Sequence, residues 1–438
     1  MDSIFLKGGR VVDPSADLDS DSDILIKDGK IAGVGNNLKA NGAKIIDCAG
    51  KLVFPGLIDM HTHLRQPGRE DEEIFVTGSK AALKGGFTSV LCMANTSPVI
   101  DNKGLVEYVY SESEKAGLIN IYPVGAVTKG LEGKELAEIG QMREAGVKAL
   151  SDDGRPVMSA GLMRRALEYT KVFGLKIISH CEDMTLSGNG VMNEGFISTK
   201  MGLKGIPRAS EVIMVMRDIE LAKLTGSAVH IAHISTEESV EAVREAKKKG
   251  IRVTCETCPH YFTLTEEAVL GFNTNAKVNP PLRTQRDVEA IKKGLADSTI
   301  DVIATDHAPH SQEEKDLEFD SAASGMIGLE TALSLAYGEL VKKGPLSWKQ
   351  LIEKMALNPA EILGLKGKGS LKAGGDADIT VFDLSAGWIV EAKGLESKSK
   401  NTPFMGTKLD GAVVLAIVGG KIKFEAGSGF KNTIGRAV

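Results

Sequence analysis

Two histidines one residue apart, His61 and His63, close an apolar run that starts at Leu52. In an extended strand side chains alternate faces, so His61 and His63 point the same way, in line with Asp59. Two imidazoles on one face at a strand's end can hold one divalent ion from neighbouring positions. The plain alternative is a pair of surface histidines. Arg65 lies on the same side and sets a fixed cation beside that position. Together they outline a pocket for an anionic substrate.

The elements that must position these residues show a clear period. Apolar, strand-like runs fall at 52–60, 87–94, 119–127, 146–151, 175–179, 228–234, 251–256 and 300–305. Helical patterns separate them, at 74–85, 103–116, 134–145, 158–173, 209–225, 236–249, 284–297 and 326–343. Ser235-Thr236-Glu237-Glu238 fits a capping box ahead of one amphipathic run. Eight strands alternating with eight helices is the count of a closed (β/α)8 TIM-like barrel, an α/β architecture. A doubly wound open sheet is the alternative, but no Gly-x-Gly-x-x-Gly follows the first strand.

The two ends of the chain have a different grammar. Ile24 to Lys27, Asp28-Gly29 and Lys30 to Val34 read as a hairpin with a two-residue primed turn. Near the other end, Asp378 to Phe382 reads as a strand. Val413 to Val418, Gly419-Gly420 and Lys421 to Phe424 repeat the hairpin. Two β-rich ends suggest a small β-sandwich assembled from both termini. The expected division is 1–52 and 366–438 for that unit and 53–365 for the barrel.

A barrel makes a test, because chemistry sits where its strands end, at the carboxyl face. His61 and His63 follow the first strand, Asn95 the second, Asp152 and Asp153 the fourth. His180 follows the fifth and His233 the sixth, Asn279 lies in the loop after the seventh, and Asp306 follows the eighth. Four histidines, with aspartates after the fourth and eighth strands, make a metal site the expected chemistry.

Bulk properties exclude other classes. The 438 residues are 42% hydrophobic and 25% charged, as in a globular enzyme, and a formal charge of -5 argues against nucleic acid. Lys247-Lys248-Lys249 ends a helical pattern, where cations suit the dipole. No run of 18 apolar residues occurs and Met1-Asp2-Ser3 opens no basic-then-apolar leader, so no membrane association and a cytoplasmic location are expected. Five cysteines form no disulfide framework. Cys255 and Cys258 have zinc-knuckle spacing without a second pair, so they read as core thiols.

At these residues the sequence resembles the amidohydrolase superfamily, and within it the class I dihydroorotases, over essentially its whole length. The carrying motifs are Pro55 to Arg65, Met93-Ala94-Asn95-Thr96, Ser151-Asp152-Asp153-Gly154 and Ser179-His180-Cys181-Glu182. They continue with His230 to Ser235, Asn279-Pro280-Pro281-Leu282-Arg283 and Thr305-Asp306-His307-Ala308-Pro309-His310. The resemblance implies His61, His63, Asp153, His180, His233 and Asp306 around two zinc ions, with Asp153 bridging. A carboxylated Lys148 is the alternative bridge. His230 and His307 are expected to face away from the centre, Asp152 to be structural, and His260 to be either a supporting or a purely structural residue.

The resemblance also implies an activity: reversible cyclisation of N-carbamoyl-L-aspartate to L-dihydroorotate in pyrimidine biosynthesis. A pair of cations lowers the pKa of a water and polarises a carbonyl. Asp306 is placed as general base toward the water and general acid toward the ring nitrogen. His63 and Arg65 face the substrate, Arg65 gripping its carboxylate in a forked pair. Asn95 and His310 are further donors, and Asn279, Ser324 and Gly325 meet the ring. The polar, helix-poor stretch after His310 reads as a mobile loop over the pocket, and a proline usual in the family before Gly325 is absent. A homodimer and association with aspartate transcarbamoylase are the expected assemblies. The competing readings are a hydantoinase or allantoinase, and a non-catalytic partner subunit of the transcarbamoylase.

Overall fold

The computed structural model describes residues 3–431. Eight parallel strands run in chain order around one sheet: Leu57–Thr62, Phe87–Cys92, Asn120–Gly125, Ala149–Leu150, Lys176–Ser179, Val229–Ile231, Val253–Thr257 and Val302–Ile303. Helices Phe75–Lys84, Lys103–Ala116, Ile139–Ala145, Ala160–Phe173, Arg208–Thr225, Glu237–Lys248 and Gln285–Ala296 return the chain between them. The eighth return is Ala332–Ala336, which runs on as a π-helical stretch, Tyr337–Lys342. Ile58, Met60, Leu91, Met93, Val124, Ile178 and Val302 from the strands fill one buried cluster, so the barrel is packed and only its carboxyl end is free for a site.

Side chains as well as backbone join the first strand to the eighth. Thr305 donates its backbone N–H and its hydroxyl to the buried Asp59 carboxylate, at 3.1 and 2.5 Å. The His63 N–H reaches the His307 carbonyl at 2.8 Å, beside a bridge between Thr62 and His307. This corrects the expectation that Asp59 lines up with the two histidines: it serves closure. The pairing of this strand with its neighbour shifts register between Asp59 and Thr62, which is why simple alternation fails there.

The apolar run from Leu52 is also two strands, not one. Leu52–Pro55 belongs to a second sheet, and the barrel strand starts at Leu57. Gly56 is the joint. A Cβ there would stand 2.2 Å from the Thr88 hydroxyl, so only glycine lets the chain pass so close.

That second sheet has nine strands and draws on both ends of the chain. Leu52–Pro55 lies between Ile4–Asp13, with which it is parallel, and Ile379–Ile389, with which it is antiparallel. Leu6, Val11, Ile24, Ile26, Val53, Ile379, Val381, Leu415 and Ile417 form its own buried core. Both expected hairpins are present, Leu18–Lys27 with Lys30–Gly35 and Lys408–Val418 with Lys421–Glu425. Each turn has positive φ at both central residues, Asp28 and Gly29 in one, Gly419 and Gly420 in the other, as a primed two-residue turn requires. The turns meet: a Cβ on Gly420 would lie 2.6 Å from the Gly29 Cα.

One cap is displaced by a residue. Thr236, not Ser235, caps helix Glu237–Lys248, accepting from the Ser239 N–H. Ser235 and Thr236 both donate to the buried Glu211 carboxylate. No helix among the described residues is long and apolar enough to cross a membrane.

Candidate metal centre

His61, His63, Asp153, His180, His233 and Asp306 converge at the strand ends, all six buried. Asp153 stands at the middle. Its Oδ1 lies 3.3 Å from His61 Nε2, 3.4 Å from His180 Nδ1 and 3.4 Å from His233 Nε2. Its Oδ2 lies 3.5 Å from His63 Nε2. Asp306 Oδ1 is 3.2 Å from His63 Nε2 and 3.7 Å from His61 Nε2. Two triplets, His61 with His63 and Asp306 and His61 with Asp153 and His233, keep their ligand atoms within 4.8 Å of one another.

These residues fit a divalent cation. His61 Nε2 is buried and makes no hydrogen bond although Asp153 is close, so a nitrogen is aimed at the centre without a proton partner. The nitrogen and carboxylate donors suit zinc and its first-row neighbours. Backbone geometry serves the same end: His233 and Asp306 hold φ of 29° and 49°, uncommon values for residues with a Cβ and typical of functional sites.

The electrostatics point the same way. Burial would strip the protons from His61 and His180, but Asp153 and further carboxylates outweigh it, raising His61 well above its ordinary value and His180 to about 10. Burial would raise Asp153 and Asp306, but their histidine neighbours hold both below the usual carboxylate range. The centre concentrates negative charge that protons balance, and metal binding displaces such protons.

Three of these histidines are each held from behind. His61 Nδ1 meets Glu256 Oε1 at 2.7 Å, and the other Glu256 oxygen is 3.3 Å from His230 Nε2. His63 Nδ1 meets the Asn95 carbonyl oxygen at 2.9 Å. His180 Nε2 meets Glu182 Oε2 at 2.9 Å, and that oxygen also accepts from Asn279 at 2.8 Å. Such partners fix which nitrogen is free for metal. Asn95 and Asn279, read from sequence as substrate contacts, are thus hydrogen-bonded into the cluster, to His63 and to Glu182.

The ambiguous residues separate cleanly. His230 faces Glu256 and Thr254. His307 faces Glu73, and its Nδ1 accepts from the Gly328 N–H. Asp152 accepts from the backbone N–H groups of Val127 and Thr128, away from the cluster. Lys148, the alternative bridge, is instead over the Tyr122 ring, 5.7 Å from its centroid. His260 is buried with Nε2 unpartnered, and burial pulls it down to about 4.

A cavity of about 220 Å³ opens beside the centre, and its wall carries His63, Arg65, Asn95, Asn279, His310, Ser324 and Gly325. All seven substrate contacts read from sequence line it. Arg65 donates through Nε to the Pro309 carbonyl at 2.9 Å, pairs with Glu72 at 3.2 Å and approaches His310 Nε2 at 3.1 Å. His310 Nδ1 lies 3.0 Å from Glu72 and 2.8 Å from Glu314. Arg69 joins the same carboxylates at 3.1 and 2.7 Å, so fixed cations already balance them.

The stretch after His310 is more ordered than its composition suggests. It contains a short helix, Gln312–Lys315, and two buried lysines bind its carbonyls. Lys277 reaches Phe319 and Ala322, both at 2.6 Å, and Lys315 reaches Ala323 at 2.7 Å and Gly325 at 3.0 Å. Gly325 has φ +142°, and a Cβ there would lie 2.8 Å from that of Ala308, so glycine is required even without the preceding proline.

Sequence reasoning missed Glu256, Glu182 and Glu72. One signal was present: Glu256 is a carboxylate inside the apolar run ending the seventh strand, and a buried carboxylate needs a partner.

A family model for dihydro-orotase-like proteins matches residues 50–239. The dihydroorotase of Geotalea daltonii is 56% identical over 96% of this chain and 99% of its own length. That of Acetivibrio thermocellus is 55% identical over 96% of this chain and 98% of its own. Among solved structures, the L-hydantoinase (dihydropyrimidinase) of Arthrobacter aurescens superposes with a TM-score of 0.88 at 27% identity, covering 99% of this chain and 98% of that one. A D-hydantoinase (dihydropyrimidinase) from Thermus sp. gives 0.84 at 25%, with 99% and 98% covered.

Proposed function

The chain belongs to the dihydroorotase family and is a cyclic amide hydrolase, and from that premise we propose that it interconverts N-carbamoyl-L-aspartate and L-dihydroorotate with two zinc ions per subunit. The observation that carries the zinc centre is the placement of Asp153 within 3.5 Å of four histidine nitrogens. His61, His63, Asp153, His180, His233 and Asp306 would hold the pair. When bound, the pair acidifies a water and draws charge from the amide carbonyl.

The chain's own residues supply the rest. Asp306, at the edge of the cavity, accepts the water's proton and returns it to the departing ring nitrogen. Without that proton the nitrogen is a poor leaving group. Arg65 and His310 bind the ring carboxylate, the first through its guanidinium fork. The amide N–H of Asn95 is a third donor, since its carbonyl oxygen is engaged by His63. Asn279, Ser324 and Gly325 confine the ring. Burial of the centre keeps bulk water from competing with these hydrogen bonds.

Metal analysis of the purified protein beside turnover of dihydroorotate and dihydrouracil tests this. About two zinc per chain and a strong preference for dihydroorotate are expected, with both zinc and turnover falling in His61→Ala. Faster turnover of dihydrouracil would transfer the protein to the hydantoinase reading. Full zinc in His61→Ala would break the ligand assignment. We further propose a cytoplasmic homodimer that associates with aspartate transcarbamoylase; light scattering of the protein alone and mixed with that enzyme checks both.

A further inference from the structure

Part of the cavity wall is made from two segments that run side by side, 307–310 and 324–327. They are joined by a parallel bridge between His307 and Met326 and by the Ala308 N–H, which donates to the Met326 carbonyl at 2.9 Å. Between them they bring Ala308, His310, Ser324 and Gly325 to the cavity, and the last three are among the seven expected substrate contacts. Neither segment is held by a regular sheet. His310 Nε2 also lies 3.0 Å from the Ser324 carbonyl, and a further tie between the segments comes from far along the chain.

Asn401 is buried, 4% exposed, on the stretch that leaves the second sheet and crosses the barrel rim. Its Oδ1 accepts from the His310 N–H at 3.1 Å. Its Nδ2 donates to the Ala308 carbonyl at 3.0 Å and to the Gly325 carbonyl at 3.1 Å. Its own carbonyl accepts from the Ile327 N–H at 2.9 Å. One acceptor and two donors at this reach are the inventory of asparagine; aspartate lacks the donors and serine is too short. Neighbours on the same stretch bind the elements behind Arg65: Ser399 donates to the Glu72 carbonyl at 2.7 Å, and Ser397 to the Glu73 carboxylate.

We propose that Asn401 is a positioning residue for substrate binding, setting the spacing of His310 against Ser324 and Gly325 without touching the substrate or metals. The inference rests on the dihydroorotase reading for the identity of the ligand. It does not rest on it for the geometry. Asn401 bonds both segments at once, so its loss lets the wall widen; five of the six cluster residues sit on other strand ends, and the sixth, Asp306, is tied to His63 and His61 at 3.2 and 3.7 Å. Binding should then weaken in ground state and transition state alike, which raises KM and spares kcat.

Asn401→Asp keeps the size and turns two donors into acceptors facing carbonyls; Asn401→Ala deletes the side chain without adding charge. In the metal-loaded enzyme we expect KM for dihydroorotate to rise about ten- to a hundredfold in Asn401→Asp, with kcat within about threefold and zinc content unchanged. Hydrogen exchange should quicken at 307–311 and 323–328 and stay slow in strands Leu57–Thr62 and Val229–Ile231. If the aspartate variant does not fold, the alanine variant is judged by the same criteria. An unchanged KM, a fall in kcat with KM constant, loss of zinc, or failure of both variants to fold would each overturn the assignment. Wild-type turnover of dihydroorotate is a separate reading: its absence removes the substrate, and KM for the cyclic amide actually hydrolysed then decides Asn401.

Discussion

Replacing Arg65 by methionine isolates the recognition of the substrate carboxylate. The guanidinium is largely buried, 13% exposed; its Nε is engaged by Pro309 and Glu72 and its Nη2 faces His310 Nε2, so Nη1 is left for the ligand and Nη2 reaches it beside His310. Methionine keeps much of the aliphatic stem and removes the charge. Removing one partner of a desolvated charge pair costs roughly 2–5 kcal/mol, about a thirtyfold to several-thousandfold loss in kcat/KM for dihydroorotate. Glu72 would not be stranded, because Arg69 at 3.1 Å and His310 at 3.0 Å still face it. The fold should therefore survive, and dihydrouracil, which has no carboxylate, should change by less than about threefold. Ring opening of both substrates followed by ultraviolet absorbance gives the two ratios. Equal proportional losses would refute the reasoning and make Arg65 a support for the Glu72–His310 cluster.

Three further outcomes are expected. Asp306→Asn should lower kcat by a factor of about a hundred to ten thousand while the protein folds normally, since it removes a proton acceptor with little change in shape; a rate within about tenfold of wild type in a stopped-flow assay would assign the proton to another group. Glu256→Gln should weaken zinc binding about ten- to a hundredfold in competition with a chelator, because His61 loses the carboxylate that fixes its tautomer; unchanged affinity would make that pair merely structural. Lys315, which burial pulls down to about 7, is charged when unfolded and increasingly neutral when folded as pH rises. Its cost to stability is therefore full below about pH 7 and disappears as pH climbs toward the unfolded value. Relative to Lys315→Met, the wild-type protein should gain on the order of 3–5 kcal/mol between pH 7 and 10.5 in denaturant titrations; parallel curves would show that the lysine stays charged in place.

The barrel and the cluster of histidines and aspartates at its rim are legible because both depend on local pattern. Strand and helix periods announce themselves within a dozen residues, and a histidine closing an apolar run reports its own position at the rim. Residues whose meaning depends on a distant partner were not legible. Nothing near Asn401 says that its amide faces Ala308, Gly325 and His310. Asp59 looked like a third member of the His61 face until its bonds to Thr305 appeared. Nothing in the sequence around Lys277 and Lys315 signals burial, yet both are buried under loop carbonyls. The division of the 52–60 run turned on Gly56, whose reason is the Thr88 side chain across the sheet.

The place of Leu52–Pro55 in the second sheet bears on how the molecule is assembled. Val53 pairs with Val11 on one side and Val381 on the other, so the whole barrel is strung between two adjacent strands. The nearer pairing closes a short loop, and the farther one must wait for nearly the entire chain. Contacts so remote in sequence are slow to form because loop closure precedes their reward. During synthesis the N-terminal strands therefore emerge with one edge open, and only the C-terminal strands cover it. An exposed strand edge is a template for wrong partners, which makes this seam, far from the metal centre, the place where a nascent chain most needs protection.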